Sequence, residues 1–243
     1  MTIYRLSQRL AFPPVDRAGP DGLLAQGGDL SVERLLLAYR SGIFPWYEEG
    51  YPILWWSPDP RFLLLPGTMN VSRSMRRVIR KGAFTVTYDR CFRDVMDACA
   101  HIPRRGARGT WITSDMADAY GRLHDAGYAH SVEVWREGHL AGGLYGVSIG
   151  KCFFGESMFS KVSDASKFAL IMLAGQLERR AFHFIDCQLQ TEHLERMGGE
   201  FVTRRRFLAM LADALVGDTL RGSWRDIFVE PSTTSRPASR SSP

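Results

Sequence analysis

The sequence holds little that would tie it to a metal, a membrane or an oxidising compartment. Its four cysteines, Cys91, Cys99, Cys152 and Cys187, are scattered and form no CxxC pair. They read as reduced thiols of a cytoplasmic protein. No Cys/His group has zinc spacing, so no metal is expected. The longest wholly apolar run, Phe168 to Ala174, falls far short of the roughly 20 residues that cross a bilayer. The opening MTIYRLSQRLAFPP has no long apolar stretch of the kind a secretory signal needs. Lysine is scarce too, with four among 31 basic residues and arginine the rest. Arginine grips phosphate with paired hydrogen bonds and stacks on bases. Net charge is only +5, so clustering carries more information than the total.

What is present falls into three parts: a small N-terminal domain over 1–64, a larger one over 65–230, and a low-complexity tail, PSTTSRPASRSSP, expected to be disordered. Residues 1–30 read as loops, broken by Phe12-Pro13-Pro14, Gly19-Pro20 and Gly27-Gly28. Ser31 caps a helix over about 32–41, with Leu30 and Leu35 as a hydrophobic staple and Gly42 as its stop. The aromatic stretch 43–62 predicts a packed segment with an edge strand at 53–56. Trp55 and Trp56 are expected in a core. Trp46, between a proline and polar residues, is a candidate to face a cleft and stack on a nucleobase.

A helix over about 72–81 places Arg73, Arg76, Arg77 and Arg80 on one stripe, with Val71, Met75, Val78 and Ile79 opposite. Arginines so close call for anions among them, and phosphate is the natural one. Arg104, Arg105 and Arg108 extend the patch in a loop. A strand at 83–88, helices at 90–101 and 114–126, and an antiparallel meander from His130 follow. The meander turns at Glu137-Gly138 and Ile149-Gly150, and Gly142-Gly143 marks a bulge or close approach. A helix over about 163–180, a strand at 183–189, a short helix, a strand near 200–203 and a helix near 204–215 complete an α+β order with a mixed, twisted sheet.

The segment Lys151 to Gln190 is the centre of this arrangement. A strand–helix–strand unit makes a right-handed crossover with its strands parallel. That brings Glu156, late in the first strand, near Asp186 and Gln188 on the second. Alternation points Asp186 and Gln188 to one face and Cys187 to the other. Two carboxylates and an amide so placed suit proton handling and amine binding; structural hydrogen bonding at strand ends is the competing reading.

The pieces FPP (12–14), GLLAQGGDLS (22–31), GIFPW (42–46), PILWWSPDPR (52–61), SRSMRR (72–77), GTWIT (109–113), HSVEVW (130–135), GGLYGV (142–147), GESMFS (155–160), ASK (165–167) and IDCQ (185–188) together resemble the leucyl/phenylalanyl-tRNA–protein transferases. The resemblance runs in order over about 10–220. It implies a small N-terminal domain plus a C-terminal domain like the GCN5-related N-acetyltransferases. It implies transfer of leucine or phenylalanine, or methionine, from aminoacyl-tRNA to the N-terminal α-amine of proteins beginning with Lys or Arg. The product is a peptide bond and a degradation signal. By resemblance, Asp186 and Gln188 form the relay that activates the attacking amine, and Glu156 positions the aminoacyl end or the amine. Trp46 and Trp111 hold the terminal adenosine, and the arginine stripe holds the acceptor stem. Leu144, Phe153, Leu170, Leu173 and Ile185 are expected to line the aminoacyl pocket. No cofactor and a monomer are expected.

Two other classes compete. A CoA-dependent N-acyltransferase on the same fold would need a glycine-rich loop opening the central helix to cradle pyrophosphate; that place reads SKVSDASK, without glycine. A non-catalytic RNA-binding module explains the arginines and tryptophans but not the Asp186/Gln188/Glu156 grouping.

Overall fold

The computed structural model describes residues 3–102 and 112–228. Trp111, Arg104, Arg105, Arg108 and the tail from 231 lie outside them.

The first 30 residues hold more than loops. Strand β1 (Tyr4–Leu6) pairs in parallel with β2 (Leu23–Gly27), and Tyr4 lies opposite Ala25. Helix α1 (Val32–Arg40) follows, and the Ser31 hydroxyl accepts from the Arg34 N–H as its cap. Gly42 then turns the chain with φ +74° into β3 (Phe44–Pro45) and β4 (Leu54–Trp56). The sheet order is β1-β2-β4-β3. The tryptophan strand is therefore interior, not an edge as its prolines suggest. Trp55 is fully buried and its indole N–H donates to the Gly27 carbonyl.

Strand β5 (Arg61–Leu64) leaves that sheet and joins a larger one. Helix α2 (Arg73–Arg80) leads to β6 (Thr85–Tyr88), α3 (Phe92–His101) and α4 (Ser114–Asp125). The meander is β7 (Ala129–Arg136), β8 (His139–Ile149) and β9 (Cys152–Ser160). Its first turn uses Glu137 and Gly138, both with positive φ. Helix α5 (Ala165–Glu178) carries the chain to β10 (Phe184–Gln188), then α6 (Glu192–Arg196), β11 (Glu200–Val202) and α7 (Arg204–Val216). Helix α5 begins two residues later than its serine predicts. Asp164 is left-handed at φ 71° and its carboxylate accepts from Lys167 instead of capping.

The seven-stranded sheet runs β11-β5-β10-β9-β8-β7-β6. Within it, only the β9–β10 pair is parallel among the described strands, and α5 is the crossover between them. The chain is thus α+β, with an N-terminal sheet and a mixed larger sheet. Alternation sorts neighbours to opposite faces. Phe154 packs with Tyr39, Tyr120 and Phe207 on one side; Phe153 packs with α5 and Trp224 on the other. Helix α5 buries Phe168, Leu170, Leu173 and Leu177, each worth about 1.5–3 kcal/mol. Its close approach needs Gly142, where a Cβ would stand 2.6 Å from the Ala165 Cβ.

Candidate active site

Strands β9 and β10 stay paired only through Phe184–Cys152, Ile185–Phe153 and Asp186–Phe154. Beyond that they part. The gap is a cavity of about 500 Å³, within the usual range for ligand pockets. Leu144, Phe153, Met158, Leu170 and Ile185 give it apolar walls. Phe44, Pro45 and Trp46 of the N-terminal sheet close one side. Glu156 and Gln188 are its central polar groups, and Trp46 and Leu189 stand exposed at its rim.

Two β-bulges aim those polar groups. Between β8 and β9, Tyr145 faces Ser157 while the next partners are Gly146 and Gly155, so Glu156 is the extra residue. Gly146 lets the strands close there, since a Cβ would strike the Phe154 carbonyl oxygen and stand 2.6 Å from the Phe153 ring. Between β5 and β10, Asp186 faces Leu63 and Gln188 faces Phe62, leaving Cys187 as the extra residue. Gln188 is left-handed, with φ 62°.

The second bulge gives Asp186 and Gln188 different surroundings. Gln188 and Cys187 both line the cavity, whereas Asp186 is 0% exposed and does not. Alternation holds only for unbulged strands. The Asp186 carboxylate instead accepts from Arg61, from Nε at 2.9 Å and from Nη2 at 2.7 Å. It also accepts the Gln188 backbone N–H at 2.9 Å. Sequence reasoning missed Arg61, which is 1% exposed. It sits in a proline-rich stretch with no periodicity to mark it as buried.

Glu156 is differently placed. Its Oε1 accepts from the Tyr39 hydroxyl at 2.7 Å and from Gln188 Nε2 at 2.9 Å; its Oε2 accepts from the Tyr120 hydroxyl at 3.0 Å. The two tyrosine hydroxyls also lie against each other, within hydrogen-bond reach. Burial pushes the Glu156 carboxyl up to about 7, against the lowering effect of its three donors. Burial likewise holds Tyr39 and Tyr120 well above an ordinary phenol, with the Glu156 charge adding to it. A carboxyl that titrates near neutrality is matched to proton transfer. Neither tyrosine was singled out in the sequence. Tyr39 lies on the inner side of α1, where it reads as ordinary core.

Of the five residues expected around an aminoacyl group, Leu144, Phe153, Leu170 and Ile185 meet in the cavity; Leu173 lies in the core and is not part of the lining. Met158, not singled out, joins them. Trp46 is 42% exposed and stands edge-on to Trp56, centroids 5.6 Å apart. Arg73, Arg76, Arg77 and Arg80 are all exposed on α2 over a buried Met75. No carboxylate pairs with any of the four among the described residues.

The sequence profile of the leucyl/phenylalanyl-tRNA protein transferases matches residues 63–212, and that of their N-terminal domain matches 28–59. Three proteins named leucyl/phenylalanyl-tRNA–protein transferase are close in sequence. That of Syntrophobacter fumaroxidans is 55% identical, over 92% of this chain and 96% of its own. That of Syntrophus aciditrophicus is 57% identical over 92% and 94%, and that of Myxococcus xanthus 54% over 93% and 97%. Among solved structures, L-PGS from Bacillus licheniformis is similar at a TM-score of 0.38 and 13% identity, over 82% of this chain and 61% of that one. The two profile matches and the three sequence relatives define an enzyme of the aminoacyltransferase class. The chain belongs to the leucyl/phenylalanyl-tRNA–protein transferase family.

Proposed function

We propose that this protein transfers leucine or phenylalanine, or methionine, from aminoacyl-tRNA to the α-amine of proteins that begin with lysine or arginine. The product is a peptide bond and an N-terminal degradation signal. The observation that carries this reading is the Glu156–Gln188 pair, 2.9 Å apart, at the polar end of an apolar cavity of about 500 Å³.

The donor is an ester, already activated toward amines. The amine nitrogen attacks the carbonyl carbon, the bond to the ribose oxygen breaks, and one proton must pass from nitrogen to that oxygen. Glu156 takes the proton and returns it to the leaving oxygen. Gln188 donates through Nε2 to Glu156, which leaves its Oε1 to accept from the incoming amine. Asp186 acts from behind, through the Gln188 backbone N–H. Holding both substrates in one cleft supplies much of the remaining acceleration.

The apolar walls take the donor side chain. A side chain branched at Cβ fits them less well, at about 1–3 kcal/mol per misplaced methyl group. Trp46 stacks on the terminal adenosine, with Trp111 as a second aromatic. The arginine stripe of α2 lies on the acceptor-stem backbone, where bonds to phosphate carry little sequence information. We take the larger sheet to be of the GCN5-related N-acetyltransferase type, residues 1–64 as a small N-terminal domain, and the protein as a cytoplasmic monomer.

Incubation with leucyl-tRNA and peptides differing only in residue one tests this. Leucyl peptides should form with lysine or arginine first, and with few others. No product from any peptide would overturn the proposal.

A further inference from the structure

Arg61 has the marks of a residue that serves the site without entering it. It sits on β5 between β11 and β10, 1% exposed. Its guanidinium lies between two rings, 4.7 Å from the Phe44 centroid and 4.7 Å from the Phe207 centroid. One edge is fixed on both oxygens of Asp186. Nη1 points to the Gly42 carbonyl at 3.5 Å. These partners lead to two parts of one cavity's lining. Phe44 forms the wall given by the N-terminal sheet. Asp186 accepts the N–H of Gln188, which forms part of the polar lining.

We propose that Arg61 is a positioning residue for the transfer step. It sets the spacing between the Phe44–Trp46 wall and Gln188, and through Asp186 it holds the left-handed turn at Gln188. This rests on the function proposed above. The chemistry selects arginine. A planar fork bonds both carboxylate oxygens while its faces stack on rings; a lysine ammonium does neither. A buried ion pair is seldom retained for stability alone, since desolvation offsets much of the attraction. Here the pair fixes geometry, and misplacement of a reacting group by about 1 Å can slow a reaction roughly a hundredfold.

The test uses the full chain and three variants: Arg61→Lys, Phe207→Leu and Leu211→Ala. Phe207 stacks on Arg61 but does not line the cavity. Leu211 is a buried residue one turn further along α7. Arg61→Lys should lower kcat at least tenfold with KM for leucyl-tRNA within about twofold of the parent. Phe207→Leu should do the same to a lesser degree. Leu211→Ala should lower the melting temperature and leave kcat unchanged. In parallel, protein labelled with ¹⁵N-glutamine reports the Gln188 backbone amide, which should move in the first two variants and not in the third. An unchanged kcat in Arg61→Lys, or an equal loss in Leu211→Ala, would overturn the proposal, and so would an unmoved Gln188 amide. The amide is read even if the parent transfers nothing. A parent without activity whose Gln188 amide still moves would count against the function and not against the positioning.

Discussion

Glu156 shares its oxygens among two phenols and an amide, in surroundings dry enough to hold its carboxyl near 7. An acid raised in the folded state keeps its proton over a window in which the unfolded chain has already lost it. Stability therefore falls as pH rises from the ordinary carboxylate range to about 7. Glu156→Gln carries no such charge. Its melting temperature relative to the parent should rise between pH 5 and pH 8. Transfer should fall by about 10²–10⁴, the usual contribution of a positioned proton acceptor. The parent's kcat/KM should climb through about 7, and the variant should lose that limb. The peptide α-amine, titrating at about 8, leaves a second limb in both. Glu156 beside Gln188 is legible in the sequence because the crossover rule needs only element order. That Asp186 is buried on Arg61 and does not line the cavity is not legible, because one extra residue, Cys187, shifts the register there. Nothing local in a sequence marks a bulge with no glycine in it. Arg61 is invisible for another reason: the carboxylate it pairs with lies 125 positions away, at Asp186.

At the scale of elements, helices with serine or threonine caps are readable to within a residue or two. Ser31 accepts the expected backbone N–H, and Ser72 and Thr113 cap their helices in the same way. Strands β1 and β3, three and two residues long, offer no alternation to read. Helix α2 carries the clearest prediction. Its four arginines are exposed, so replacing each with alanine should change stability by at most about 0.5 kcal/mol. Binding of tRNA should weaken, and the slope of log K against log salt should flatten by about 0.7–0.9 for each phosphate that is no longer neutralised. A filter-binding titration across salt reads both. The Glu156 bulge carries another prediction. Gly146→Ala drives a methyl group into the Phe154 carbonyl oxygen and the Phe153 ring. It should destabilise the fold by about 1–3 kcal/mol and displace Glu156. Chemical denaturation reads the first effect and the pH profile of transfer the second.

Across the whole molecule the two sheets share one core. Trp55 and Tyr39 pack in a single cluster with Tyr120, Phe154 and Phe207. On the far face, Trp224 stacks on His130 at 3.7 Å and donates its backbone N–H to Asp89 at 2.7 Å. Thermal unfolding should be one transition, reported at the same temperature by single-tryptophan versions keeping Trp55 or Trp224; two separated midpoints would show independent units. Strand β5 lies between β10 and β11, so Phe62, Leu63 and Leu64 find partners only when residues 184–202 exist. A ribosome delivers them in the opposite order. Throughout most of synthesis that sticky tetrapeptide waits with bare amides and greasy flanks, the state most prone to wrong pairing. Translation interrupted before residue 184 therefore yields a product that cannot close its own sheet.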